Sequence, residues 1–188
     1  MSITAPSSPQ AESLLTAEDL WRHGPTAPGE IVRGRFIEMP PTGHPLASVE
    51  GNIARELGSF VKRQALGKVM PGEVGIITQH DPDTVRGADV VYISNERLAR
   101  AQPDGYLDVA PELTIEVVSP NDRRTEIDEK VSEYLACGVE AVWIIDPRNR
   151  RVTCWRAPGE ARTYGQDDVL EEPGILPGFS LAVRELFE

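Results

Sequence analysis

The run Leu113 to Val118, LTIEVV, constrains this chain most. It is β-rich and carries one ionisable residue, Glu116, in its middle. Burying a lone carboxylate among valines is costly unless a cation or hydrogen bonds compensate it. A strand alternates its faces, so Thr114, Glu116 and Val118 point one way and Leu113, Ile115 and Val117 the other. Ser119-Pro120 stops the strand, and Asn121 or Asp122 is suited to cap a following helix. The carboxylate therefore stands near the carboxyl end of a strand that feeds a helix, a position that suits a metal-site acid.

A chain of 188 residues accommodates one domain with a sizeable core. We expect a disordered tail over residues 1–12, rich in Ser, Pro and Ala, and a single domain over 13–188. Hydrophobic content of 40% and charged content of 26% are those of a soluble globular protein. No apolar run approaches the roughly 20 residues of a membrane helix, and the N-terminus lacks the pattern of a secretory signal. Cys137 and Cys154 have neither metal nor disulfide spacing, so the expectation is reduced thiols in a cytoplasmic protein. The net charge of −11 argues against coating nucleic acid by charge alone. It leaves open an enzyme that meets DNA through a local patch and divalent metal ions.

Along the chain, Thr16 to His23 predicts a short helix capped by Thr16. Glu30 to Met39 predicts two short strands around Arg33-Gly34-Arg35. His44 to about Gln64 is a long helix whose stripe is Leu46, Val49, Ile53, Leu57, Phe60 and Val61. Lys68 to Gln79 reads as strand interrupted at Pro71-Gly72, and Val85 to Ser94 as a strand with Asp89 at the head of an apolar run. Glu96 to Val109 has little pattern. Arg123 to Ala136 is a second long helix stopped by Gly138, and Ala141 to Ile145 a buried strand. Val152 to Arg156 follows, then a loop, a short strand and a terminal helical turn. This order predicts an α/β layered domain with a mixed central sheet flanked by helices. GxGxxG, P-loop, HExxH and GxSxG signals are absent.

Asp89 and Glu116 both stand beside apolar runs where packing would not select a charge. Two carboxylates on neighbouring strands can hold Mg²⁺ or Mn²⁺, with water and a backbone carbonyl, here that of Val117, completing the shell. Lys130 borders the apolar stripe of the second long helix at about 100° per residue, on a stem long enough to reach the sheet. Each has a plainer reading: Asp89 as a turn cap after Gly87, Glu116 as one half of a salt bridge with an Arg, Lys130 as a solvated side chain. Only the three together specify chemistry. Glu50 lies next to Val49 and Ile53 and could face the sheet or pair on the surface. His44 opens the first long helix and could cap it or touch phosphate. Arg123 and Arg124 are candidates for phosphate contact, or simply a charged turn.

GADVVYIS, PELTIEVVSPNDRR and KVSEYLACGVEAVWIIDP together resemble the Uma2 family (DUF820) of restriction endonucleases, within the PD-(D/E)XK nuclease superfamily. EIVRGRFIEMPPTGH and LPGFSLAVRELF resemble the family's N-terminal hairpin and C-terminal end. The resemblance implies a restriction-endonuclease-like core with an N-terminal β-hairpin extension. It further implies divalent metal, phosphodiester hydrolysis in DNA and a homodimer. On the motif, Asp89 matches the Asp of PD, and Glu116 the acid of (D/E)XK. Ala88 replaces the Pro, and Val118 stands where the superfamily has its Lys. The family carries that Lys on the next helix, where Lys130 matches it. The alternative is a catalytically inactive module of the same fold that binds nucleic acid or a protein partner.

Overall fold

The computed structural model of the chain describes residues 14–24, 28–119 and 122–188. The tail expected over residues 1–12 lies outside the described residues. Helix α1 (Ala17–His23) starts where the Thr16 side chain accepts from the Asp19 N–H and Asp19 answers through the Thr16 N–H, a reciprocal cap. Strands β1 (Gly29–Val32) and β2 (Arg35–Glu38) form the expected hairpin, turning at Arg33 and Gly34, both with positive φ. Helix α2 (His44–Gln64) buries Val49, Ile53, Leu57, Phe60 and Val61 of the stripe read from the sequence, while Leu46, in its first turn, is only partly buried.

Strands β3 (Gly67–Gln79) and β4 (Thr84–Ser94) form a long antiparallel pair. The sequence reading broke β3 at Pro71-Gly72, but the strand runs through. Gly72 and Glu73 instead form a bulge, two residues against the single Asp89 of β4, with Glu73 at φ 55°. The connection read as patternless begins with one turn of helix, α3 (Asn95–Leu98), capped by the Ser94 hydroxyl. Strand β5 (Leu113–Val117) then enters the sheet, and α4 (Arg124–Cys137) follows. Neither proposed cap sits at its start. Arg123 occupies the N-cap, and Asp122 instead accepts the Ser119 N–H at 2.7 Å; Asn121 lies outside the described residues.

Strands β6 (Ala141–Asp146), β7 (Arg151–Ala157) and β8 (Glu160–Gly165) complete the sheet. A two-stranded sheet, β9 (Val169–Glu172) and β10 (Leu176–Ala182), and a 3₁₀ turn (Val183–Phe187) end the chain. The loop and single strand expected here are thus three strands. Strand β8 buries only Tyr164 and so carries no apolar alternation to read.

In the described residues the main sheet has eight strands. Its order is β2-β1-β4-β5-β6-β7-β8, with β3 also on β4, and only β5 and β6 run parallel. Helix α2 covers one face, packing on Val90, Tyr92, Leu113, Ile115, Val117, Trp143 and Ile145. Helix α4 covers the other through Val131 and Tyr134, against Ile76, Ala88, Val91, Val142 and Ile144. This is the expected α/β class: a mixed central sheet flanked by helices, with the hairpin as an N-terminal extension. Among the described residues no helix is long and apolar enough to cross a membrane. Cys137 is half-buried and Cys154 buried, and both are free thiols.

Candidate active site

Asp89 sits where both ladders of its strand let go. Pairing of β4 with β5 runs over Tyr92↔Leu113, Val91↔Thr114 and Val90↔Ile115 and ends one step before Asp89 and Glu116. On the other side the bulge separates Pro71↔Val90 from Val74↔Ala88. Asp89 Oδ2 takes the Val117 N–H at 2.6 Å and so bridges the gap to β5 with its own side chain. The bulge turns Glu73 toward the same place, where its charge acts on the Asp89 carboxyl. Gly87 makes the room: a Cβ there would stand 2.8 Å from Glu73 Oε2.

Glu116 projects onto α4, the face its alternation predicts. Tyr134 donates its hydroxyl to Glu116 Oε1 at 2.7 Å, and Lys130 Nζ lies 3.1 Å from Oε2. The same ammonium contacts Glu30 Oε1 at 2.8 Å and donates to the Gly87 carbonyl at 3.3 Å. Glu30, on β1, is only 3% exposed. Its Oε1 also accepts the Gly87 N–H at 3.0 Å, and its Oε2 pairs with Arg86 at 2.9 Å. Arg86 in turn grips Glu133 of α4 through two bonds of 2.6 and 3.0 Å. A chain of charges thus links hairpin, sheet and helix.

The charges do not balance. Burial pushes Glu116 up to about 7, with Lys130 opposing and Asp89 adding to the rise. Burial also raises Asp89 to about 7, against the Val117 N–H, and the charges of Glu73 and Glu50 raise it further. Glu73 is raised by burial and by Glu116, and Glu50 by burial. Glu30 behaves oppositely: burial would raise it, but Lys130 and Arg86 overcome that and hold it below the usual range. Lys130 is shared between two acids. Glu30, which also has Arg86, keeps its charge, and Glu116 is left under-compensated. Lys130 itself is held protonated by the two carboxylates despite its burial.

The structure therefore brings Asp89, Glu116 and Lys130 together and places Glu50 close enough to act on Asp89. His44, Arg123 and Arg124 stay exposed. His44 does not cap α2, whose N-cap is Gly43. Arg123 and Arg124 face acids of their own helix, Glu126 at 4.0 Å and Asp128 at 3.8 Å. Sequence reasoning missed Glu73 and Glu30. The Pro-Gly-Glu in a strand was the available signal for Glu73, since it marks a bulge rather than a break. Glu30 sits alone in GEIV, and pairing with residues 56 and more positions away leaves no local trace.

A cavity of about 280 Å³ reaches Glu73, Glu30 and Gly87 from solvent, walled by Met39, Pro40 and Tyr106. Among the described residues no three His, Cys, Asp or Glu side chains converge as a metal-binding group. The fit to a divalent cation is one of donor chemistry. Asp89 and Glu116 offer hard carboxylate oxygens from neighbouring strands, with Glu73 beside Asp89; as placed they do not converge on one point, and rotation of these side chains would bring them to one ion.

The chain thus forms a mixed sheet between two helices, with acids on its parting strands and a lysine from the next helix. The chain is similar to a crystal structure from Anabaena variabilis ATCC 29413, described as a putative nuclease belonging to DUF820. The TM-score is 0.77 at 21% identity, covering 92% of this chain and 97% of that one. The chain belongs to the Uma2 family, described as putative restriction endonuclease, which matches residues 18–184. No curated protein matches it.

Proposed function

We propose that this protein is a divalent-metal-dependent endonuclease that hydrolyses phosphodiester bonds in DNA. One observation carries the reading. Asp89 and Glu116 are kept at the parting of two strands, half-buried with carboxyls raised to about 7, where packing alone would favour apolar residues. Family membership supplies the reaction class. Asp89, Glu116 and the Val117 carbonyl would hold Mg²⁺ or Mn²⁺, with Glu50 and Glu73 as further carboxylates beside them. Such an ion, when bound, acts as a Lewis acid and lowers the pKa of a water for attack on phosphorus.

The chain's own residues do the rest. Asp89 pins the end of β5 through the Val117 N–H and so fixes the spacing of the two acid-bearing strands. Tyr134 orients the Glu116 carboxylate. Lys130 presents an ammonium to the site, suited to orient a nucleophile and to neutralise negative charge developing on a phosphate. His44, Arg123 and Arg124, exposed at helix starts, are offered as phosphate contacts outside the acid joint.

The net charge of −11, and a Glu116 whose two oxygens are already engaged, favour a second reading: a non-cleaving module of the same fold. A cleavage panel separates the two. Supercoiled, linear, single-stranded and branched DNA, and RNA, are incubated with the protein in Mg²⁺, Mn²⁺ or EDTA. Metal-dependent cutting of DNA is expected. A folded protein that binds DNA and cuts nothing in any metal would establish the non-cleaving module. Sedimentation with and without DNA tests the homodimer that double-strand cutting calls for.

A further inference from the structure

An ammonium has three N–H groups, and those of Lys130 are all taken, by Glu30 Oε1 at 2.8 Å, Glu116 Oε2 at 3.1 Å and the Gly87 carbonyl at 3.3 Å. These partners are not equivalent. Glu116 belongs to the acid joint and has work elsewhere. The Gly87 carbonyl is neutral. Glu30 is the one charged partner with no other chemical task, and it is itself immobilised: both its oxygens are engaged, by the Gly87 N–H and by Arg86, and it is 3% exposed. Arg86 is locked to Glu133, one helical turn beyond Lys130 on α4. The lysine and the far end of its tether therefore sit on the same helix, and the loop closes through the hairpin.

We propose that Glu30, on the N-terminal hairpin, is the positioning residue for Lys130. The proposal rests on the nuclease reading above. When Glu116 turns from the ammonium, Glu30 and the Gly87 carbonyl still hold Nζ in place and leave one N–H free to meet a phosphate oxygen or the attacking water. The hairpin is then a working part of the site and not a decoration on the core. Arg86 acts one step further out, by fixing the Glu30 carboxylate.

The test uses the full chain and two readouts. In the first, a brief pulse of acetic anhydride labels amines, read by mass spectrometry. Lys130 of Glu30→Gln is expected to label at least about tenfold faster than in wild type, because its tightest tether is gone, while exposed Lys62 and Lys68 are unchanged. In the second, cleavage kinetics are measured for Glu30→Gln, Lys130→Ala and the double variant. Glu30→Gln is expected to lower kcat about a hundredfold with little change in KM, and Glu30→Asp, which keeps the charge, to recover part of the loss. In the Lys130→Ala background, Glu30→Gln should change kcat less than about threefold, since Glu30 acts through the lysine. Multiplying effects in the double variant, or unchanged Lys130 labelling in folded Glu30→Gln, would overturn the proposal. If wild type cuts nothing, the nuclease reading fails, and the labelling result still decides whether Glu30 holds Lys130.

Discussion

Replacing Glu116 with Gln should make the metal-free protein more stable at alkaline pH. The carboxyl is largely desolvated, and its folded-state pKa is about 7 against 4.5 in an unfolded chain. A raised acid favours the folded state below its unfolded pKa, and that advantage is lost as pH rises through the folded value. At about 1.4 kcal/mol per tenfold in proton affinity, the rise amounts to about 3 kcal/mol of stability lost by pH 8. Gln has the shape of the protonated acid and can still accept the Tyr134 hydroxyl, but it never ionises. The variant should therefore match wild type near pH 4.5 and exceed it by up to about 3 kcal/mol at pH 8 in EDTA. For a chain of this size that is a gain of about 6–12 °C in Tm. Urea or thermal melts at the two pH values measure it. A variant less stable than wild type at pH 8, or a difference equal at both pH values, would refute the reasoning. Confirmation would mean that Glu116 is retained against the interest of the fold.

Other outcomes follow from the same contacts. Gly87→Ala puts a methyl 2.8 Å from Glu73 Oε2, which must swing away; cleavage should fall by about tenfold or more, with the melt nearly unchanged. Arg97→Ala should cost about 2–4 kcal/mol in urea denaturation without altering the cleavage rate of the folded fraction. Arg97 caps the carbonyls of Ala110, Pro111 and Gly138 and pairs with Glu112 and Glu140, and makes no contact with Asp89, Glu116 or Lys130 among these bonds. Tyr134→Phe removes the hydroxyl that orients Glu116, and should lower both stability, by about 1–2 kcal/mol, and kcat.

The parts of the fold legible in the sequence were those with a period. The α2 stripe and the apolar runs of β4, β5 and β6 each declared their element, because one face or both had to be buried. The Thr16 cap was local and readable. What failed was structure held by distant partners. Strand β8 exposes most of its residues and exists because β7 pairs with it. The β3 bulge looked like an interruption because Pro and Gly mark both. At the site, Asp89 and Glu116 stood out as charges in apolar runs, and Lys130 by its place beside a stripe. Glu30 did not, because its partners Arg86, Gly87 and Lys130 arrive from other elements. Glu73 did not, because its direction is set by a φ of 55° and not by strand alternation.

The central claim is that Asp89, Glu116 and Lys130 form one metal-dependent hydrolytic site. It is tested most directly by comparing wild type with Asp89→Asn, Glu116→Gln and Lys130→Ala on one DNA substrate, in Mg²⁺, Mn²⁺ and EDTA, with each variant shown to be folded. Cutting by wild type only with metal, abolished by Asp89→Asn and Glu116→Gln and strongly reduced by Lys130→Ala, is the predicted result. Cutting that survives Glu116→Gln would contradict it.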